Sequence, residues 1–161
     1  MGTDIHVYIL RKDKDNLWKT VKIYRKEKRN KFKYISPYNS RNYELFDILK
    51  GKETKDYFPF VPINEKELPP DLKNRYLKAK NIIGYFDFNE VNLADLKLYL
   101  CSHPKVRDYD YEGENFDEEG WKENPIHDFI KTIENYIFLS GSFDFEICPD
   151  SYFKIVYWFD C

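Results

Sequence analysis

The sequence predicts an α+β fold: an antiparallel sheet that includes the N- and C-terminal strands, with helices packed mainly on one face. Three observations lead there. The chain opens on an alternating segment, Thr3-Asp4-Ile5-His6-Val7-Tyr8-Ile9, and closes on Tyr152-Phe153-Lys154-Ile155-Val156-Tyr157-Trp158-Phe159, which is too apolar for a sheet edge. Between them, Ile126, Phe129, Ile130, Ile133, Tyr136 and Ile137 recur at helical intervals after Asn124-Pro125. At 161 residues the chain suits one domain, residues 1–161, and shows no repeats.

In the opening strand, Ile5, Val7 and Ile9 face one way and Asp4, His6 and Tyr8 the other. The polar stretch Lys12-Asp13-Lys14-Asp15-Asn16 then turns the chain into a second alternating strand, residues 17 to 24, where Trp18, Thr20, Lys22 and Tyr24 share a face. Residues 25 to 40 read as an irregular basic loop. A short helix follows Asn42 as N-cap and stops before Gly51, with Leu45, Phe46 and Leu49 toward the core. Residues 52 to 68, with Pro59 and Pro62, read as a packed surface loop. A helix begins near Pro69-Pro70 and a strand covers residues 82 to 88. Asn92 caps a helix from Leu93 to Leu100, and Gly141 ends the helix that starts after Pro125.

Aromatic residues make up 19% of the chain, so flat rings must fill the core and part of the surface, where they can stack on a ligand. No apolar run approaches a membrane span, and the N-terminus carries no signal-peptide pattern, so a cytoplasmic protein with no membrane partner is expected. His6 occupies the position where a myristoylation signal needs Ser or Thr. The three cysteines, Cys101, Cys148 and Cys161, lack metal-site spacing and fit reduced thiols. Charge is unevenly spread. Residues 1 to 80 hold 20 Lys/Arg against 11 Asp/Glu, giving +9, and the remainder comes to −11. The positive density peaks between Arg25 and Lys33. Two solvated regions attracting each other account for this, and a nucleic-acid groove is the other reading; in either case the basic half attracts anions.

Asp4 and His6 on an otherwise apolar strand need partners, and Arg41, Asn42 and Tyr43 at the first helix start are the nominees. Arg41 can grip a phosphate with two donors, and the helix start adds free N–H groups. Tyr8, Tyr24, Tyr43 and Trp158 are candidate stacking partners, and Lys22 completes the ligand-binding set. The same residues also suit a satisfied polar network that holds the first helix to the sheet. In a catalytic version, His6 is the general base or acid, Asp4 fixes its tautomer and Arg41 stabilises phosphoryl charge. No third ligand with persuasive spacing supports a metal, and no cofactor is called for.

Three segments, Gly2-Thr3-Asp4-Ile5-His6, Arg41-Asn42-Tyr43-Glu44-Leu45-Phe46 and Val156-Tyr157-Trp158-Phe159-Asp160, resemble in order and rough spacing the motifs of a group of small, mostly uncharacterised bacteriophage and prophage proteins. The resemblance implies a phage context and, for localisation, the cytoplasm of the infected host. The group's Ser-His-Ser-Trp stretch is replaced here by Phe88-Asn89-Glu90-Val91-Asn92, so no two-histidine mechanism is implied, and His103, beyond the third helix, is no obvious substitute.

Together these readings give an expected phage accessory protein that sequesters a small anionic, nucleotide-derived immune signal and so blunts a host defence. A metal-independent phosphodiesterase acting on such a signal is the enzyme alternative. The third is an inhibitor that binds a host defence protein through its acidic half, with Asp117, Glu118 and Glu119 at the contact. A homo-oligomer sharing one pocket is compatible with sequestration. Residues 108 to 119 approach a calcium-loop pattern, with acids at its first, third, fifth and last positions and Gly113 sixth, but Glu112, Asn115 and the nearby Pro125 fit an ordinary acidic loop better.

Overall fold

The alternation at the N-terminus becomes β1 (Asp4–Lys12), and the apolar C-terminal run becomes β9 (Phe153–Asp160). The computed structural model describes residues 2–52, 57–107, 120–141 and 149–161. After β1 come β2 (Trp18–Thr20), β3 (Ile23–Lys26), β4 (Phe32–Ile35) and α1 (Tyr43–Leu49). The middle of the chain forms β5 (Val61–Pro62), α2 (Pro70–Lys80), β6 (Tyr85–Asn92) and α3 (Leu93–Ser102). Then follow β7 (Lys105–Arg107), β8 (Trp121–Glu123) and α4 (Ile126–Leu139).

The main sheet has the order β2-β1-β9-β6-β5, antiparallel at every pairing. β9 is its centre, as its apolar character predicts. It pairs with β1 from Asp4↔Asp160 to Arg11↔Phe153 and on its other side with β6. Period-two alternation divides the two faces. Ile5, Val7, Ile9, Ile155, Tyr157 and Phe159 meet the buried sides of α1, α3 and α4. Tyr8, Leu10, Val156 and Trp158 meet Leu72, Tyr76 and Ala79 of α2. Three helices thus cover one face and a fourth covers part of the other, which gives the second face a rim where polar side chains reach solvent.

Local chemistry accounts for the element ends. Asn42 and Asn92 accept from the N–H groups of Leu45 (3.1 Å) and Ala94 (2.9 Å), capping α1 and α3. Gly141, at φ +72°, lies just past α4 and donates its N–H to Phe138 O at 3.1 Å. The six apolar residues predicted for α4 are all buried, each worth about 2 kcal/mol before conformational entropy is charged against it.

Four local expectations change. The strand over residues 17 to 24 splits, because Val21 turns inward to 3% exposure and donates its N–H to Ile9 O at 2.8 Å. The loop read over residues 25 to 40 contains the β3–β4 hairpin, a separate two-stranded ribbon whose base is anchored by Tyr136: Ile23 donates to Tyr136 Oη at 3.0 Å, and that hydroxyl donates to Ile35 O at 2.6 Å. The strand expected over residues 82 to 88 starts later and runs to Asn92; Ile82 and Ile83 are exposed, and a register shift between Phe86 and Asn89 accommodates Asp87 at φ +52°. The loop of residues 52 to 68 contributes β5 and a 3₁₀ turn, Glu65–Glu67. The acidic segment of residues 108 to 119, with its calcium-loop pattern and its proposed inhibitory contact, and Cys148 lie outside the described residues; Cys101 and Cys161 are free thiols. Among the described residues no helix is long and apolar enough to cross a membrane.

Candidate functional site

The nominated residues fall into two neighbouring groups; His6, Tyr8 and Trp158 lie on the α2 side of the sheet, whereas Arg41, Asn42 and Tyr43 come from the start of α1, which packs on the other side. At the open end of the central strands, β1, β9 and β6 align Asp4, Asp160 and Tyr85 in one row. His6 Nε2 lies 2.7 Å from Asp160 Oδ2, and the Asp4 N–H donates to Asp160 Oδ1 at 3.3 Å. Arg41 donates from Nε and Nη2 to the two carboxylate oxygens of Asp4, at 2.5 and 3.0 Å. His6 therefore takes its carboxylate from Asp160, not from Asp4 as predicted. The reason is register: Asp160 sits across the strand pair, whereas Asp4 is drawn outward by a bidentate guanidinium.

These contacts leave two carboxylates, Asp4 and Asp160, around one fixed cation, Arg41. The hydrogen bond from Arg41 holds the Asp4 carboxyl below its ordinary range despite some desolvation, and the same bond raises Arg41. Both partners are about half exposed, so the pair adds little to stability. An incoming anion here would have to displace two carboxylates. Asn42 spends its side-chain oxygen on Leu45, and α1 has only seven residues, so its start offers no separate anion site. Tyr43 stands edge-on to Phe46 and, with Arg41, lines the surface over Gly2. A Cβ at Gly2 would come within 2.6 Å of Tyr43 Oη, the far end of an exposed side chain that can move aside.

The second group is a pocket of about 90 Å³ built from Tyr8 of β1, Lys22, Tyr24 of β3, Tyr34 of β4 and the α2 residues Asp71 and Arg75. Lys22 Nζ pairs with Asp71 Oδ2 at 2.5 Å, and Thr20 Oγ1 donates to Asp71 Oδ1 at 3.4 Å. The hydrogen bond from Lys22 to Asp71 raises Lys22 above its ordinary pKa; burial pushes Asp71 upward, but Lys22 and its other donors outweigh this and leave it lowered. Arg75 lies 5.9 Å from the Tyr8 ring centroid and 5.4 Å from that of Tyr34. It makes no salt bridge among the described residues, and its neighbour Tyr8 raises its pKa further. Burial likewise pushes the Tyr34 phenol up, so it stays a neutral hydroxyl. Two cations against one carboxylate leave the pocket with a surplus positive charge.

Trp158, nominated to stack on a ligand, is only 2% exposed. Its position in the central strand beneath α2 buries it, and its ring contacts both His6 (centroids 6.0 Å) and Tyr8 (5.1 Å), joining the two groups from below. Tyr24, 53% exposed, is the ring with a free face at the pocket mouth. His103 stacks on Tyr99 at the end of α3, on the opposite side of the sheet. Among the described residues no set of three His, Cys, Asp or Glu side chains is arranged to hold a metal.

Sequence reasoning did not nominate Asp160, Tyr34, Asp71 or Arg75. Pairing the first and last strands in register would have brought Asp160 opposite Asp4. Asp71 and Arg75 are four apart on one flank of a helix whose buried side is Leu72, Tyr76 and Ala79, a spacing visible once α2 is oriented. No protein-family model, no curated protein and no solved structure matches the chain.

Proposed function

We propose that this protein captures a small anionic ligand of the nucleotide class in the Tyr8–Lys22–Arg75 pocket, and that in a phage setting this capture withholds an immune signal from the host. The carrying observation is Arg75, a guanidinium held over two tyrosine rings with no carboxylate in salt-bridge contact among the described residues, its neighbour Asp71 being paired with Lys22. A pocket of about 90 Å³ holds several water-sized groups, the size of a phosphate's oxygens, since one such group needs only about 10–15 Å³. It is too small for a whole nucleotide. The phosphate enters, and the base lies outside against the exposed face of Tyr24.

The test is thermal unfolding with linear and cyclic nucleotides and with inorganic phosphate. Ligand at about 100 times its dissociation constant stabilises the fold by roughly 2.7 kcal/mol. The wild type and Arg41→Gln should both show the shift, and Arg75→Gln should lose it while unfolding at an unchanged temperature without ligand. Absence of any shift in the wild type, or a full shift in Arg75→Gln, would count against the pocket.

One observation favours the enzyme alternative: His6, one-third exposed, is held by Asp160 at 2.7 Å, the arrangement a general base needs. Intact ligand recovered after denaturing the complex supports capture. Product formation that disappears in His6→Ala supports cleavage.

A further inference from the structure

The β3–β4 ribbon stands outside the main sheet and carries six cations, Arg25, Lys26, Lys28, Arg29, Lys31 and Lys33, against one acid, Glu27. Its register pairs Tyr24 with Tyr34 and Lys26 with Phe32, so these four side chains share one face, while Arg25 and Lys33 fall on the other. Two rings are open to solvent on that shared face: Tyr24 at 53% and Phe32 at 66% exposure. The tip is a tight turn with Arg29 and Asn30 in the left-handed region, at φ +68° and +57°, closed by the Glu27 N–H to Lys31 O at 2.7 Å. This conformation keeps Lys28, Arg29 and Lys31 exposed at the tip.

A run of lysines is by itself an ordinary solvated surface. Two large exposed rings set among those lysines give the strip flat faces as well as charge. An acidic protein partner would match the charge, but its carboxylates do not come with a flat face at every unit, as the phosphates of a single strand do. Single-stranded nucleic acid supplies both: phosphates for the cations and base faces for the rings.

We infer that the β3–β4 ribbon is a sequence-tolerant contact surface for single-stranded nucleic acid. The cations follow the phosphate chain along the ribbon, and Phe32 and Tyr24 stack bases. Lys28, Arg29, Lys31 and Phe32 belong to the ribbon alone, whereas Tyr24 and Tyr34 are shared with the small-ligand pocket.

The experiment is fluorescence anisotropy with labelled oligo-dT and oligo-U over a salt series, using the full chain. The wild type should bind both, with log affinity falling linearly against log salt. Lys28→Gln/Arg29→Gln/Lys31→Gln should reduce the magnitude of that slope by about 2, since each neutralised phosphate on a single strand contributes about 0.7. Phe32→Ala should weaken binding about tenfold with the slope unchanged. Unchanged unfolding temperatures identify both variants as folded. No binding by the wild type at low salt would overturn the inference. So would an unaltered slope in the triple variant, or poly-glutamate competing as well as oligo-U. Loss of oligonucleotide binding in Arg75→Gln with the ribbon variants unaffected would move the polyanion into the pocket and equally overturn it. Retained binding in Arg75→Gln, with the nucleotide-induced thermal shift gone, separates this surface from the small-ligand reading.

Discussion

Lys154 is the least expected side chain in the core. It occupies the central strand, is 3% exposed, and places Nζ 2.8 Å from Glu67 and 3.3 Å from Glu90, 4.5 Å above the centre of the Trp18 ring. Glu90 is itself buried and accepts the Asn64 N–H at 3.1 Å. Removing one member of such a group leaves a charge without its partner, a cost of about 3 kcal/mol. Lys154→Met leaves the buried Glu90 carboxylate without a cation and should lower stability by about that amount, whereas Glu90→Gln should cost less because Glu67 still pairs with Lys154. The double variant should lose much less than the sum of the two single losses, as a double-mutant cycle by urea unfolding would show. Of this cluster the sequence displayed only a lysine inside an apolar run. The glutamates come from segments far away in the chain, and nothing local marks them as its partners. The same holds for Asp160 beside His6: the pair is separated by 154 positions and is made by strand register alone.

Elements were legible where one periodicity dominates. α4 has six core residues at helical spacing, and β9 is apolar on both faces because helices cover both sides of its sheet, α2 on one and three helices on the other. The β3–β4 hairpin was not legible, because cations occupy its exposed faces and its anchor, Tyr136, lies about a hundred positions downstream. α2 was legible as a helix but its side of the sheet was not, since a helix placed on either face would bury the same residues. Its position has a consequence in acid. The Asp71–Lys22 pair ties α2 to the link between β2 and β3. Asp71 is lowered from its ordinary 3.8, so its contribution is present above that value and is lost as pH falls through its folded-state pKa. Lys22 is raised from 10.5, so its contribution is present below that value and is lost in strong alkali. Unfolding temperatures measured from pH 5 downward should converge for wild type and Asp71→Asn below pH 3.8, having differed above it.

For the molecule as a whole, the charge asymmetry of +9 and −11 acquires an address: much of the positive excess stands on one protruding ribbon and at one rim pocket. Composition could show which half is positive but not where that charge gathers, because the pocket is assembled from two strands of the ribbon, one strand of the main sheet and a helix. The pairing of β1 with β9 along eight positions, against three for β1 with β2, has a further consequence. The two ends of the described chain lie side by side, so a short linker can join them, and a new opening can be cut in the exposed turn at Lys14 and Asp15. In that circular permutant the pairing of β1 with β9 becomes a hairpin, and of the strand pairings of β1 only the short one with β2 becomes distant. Lower contact order predicts faster refolding in a stopped-flow experiment, with the Tyr8–Lys22–Arg75 pocket intact. Sequence order, then, is separable from the architecture: the same sheet can be strung on a differently ordered chain.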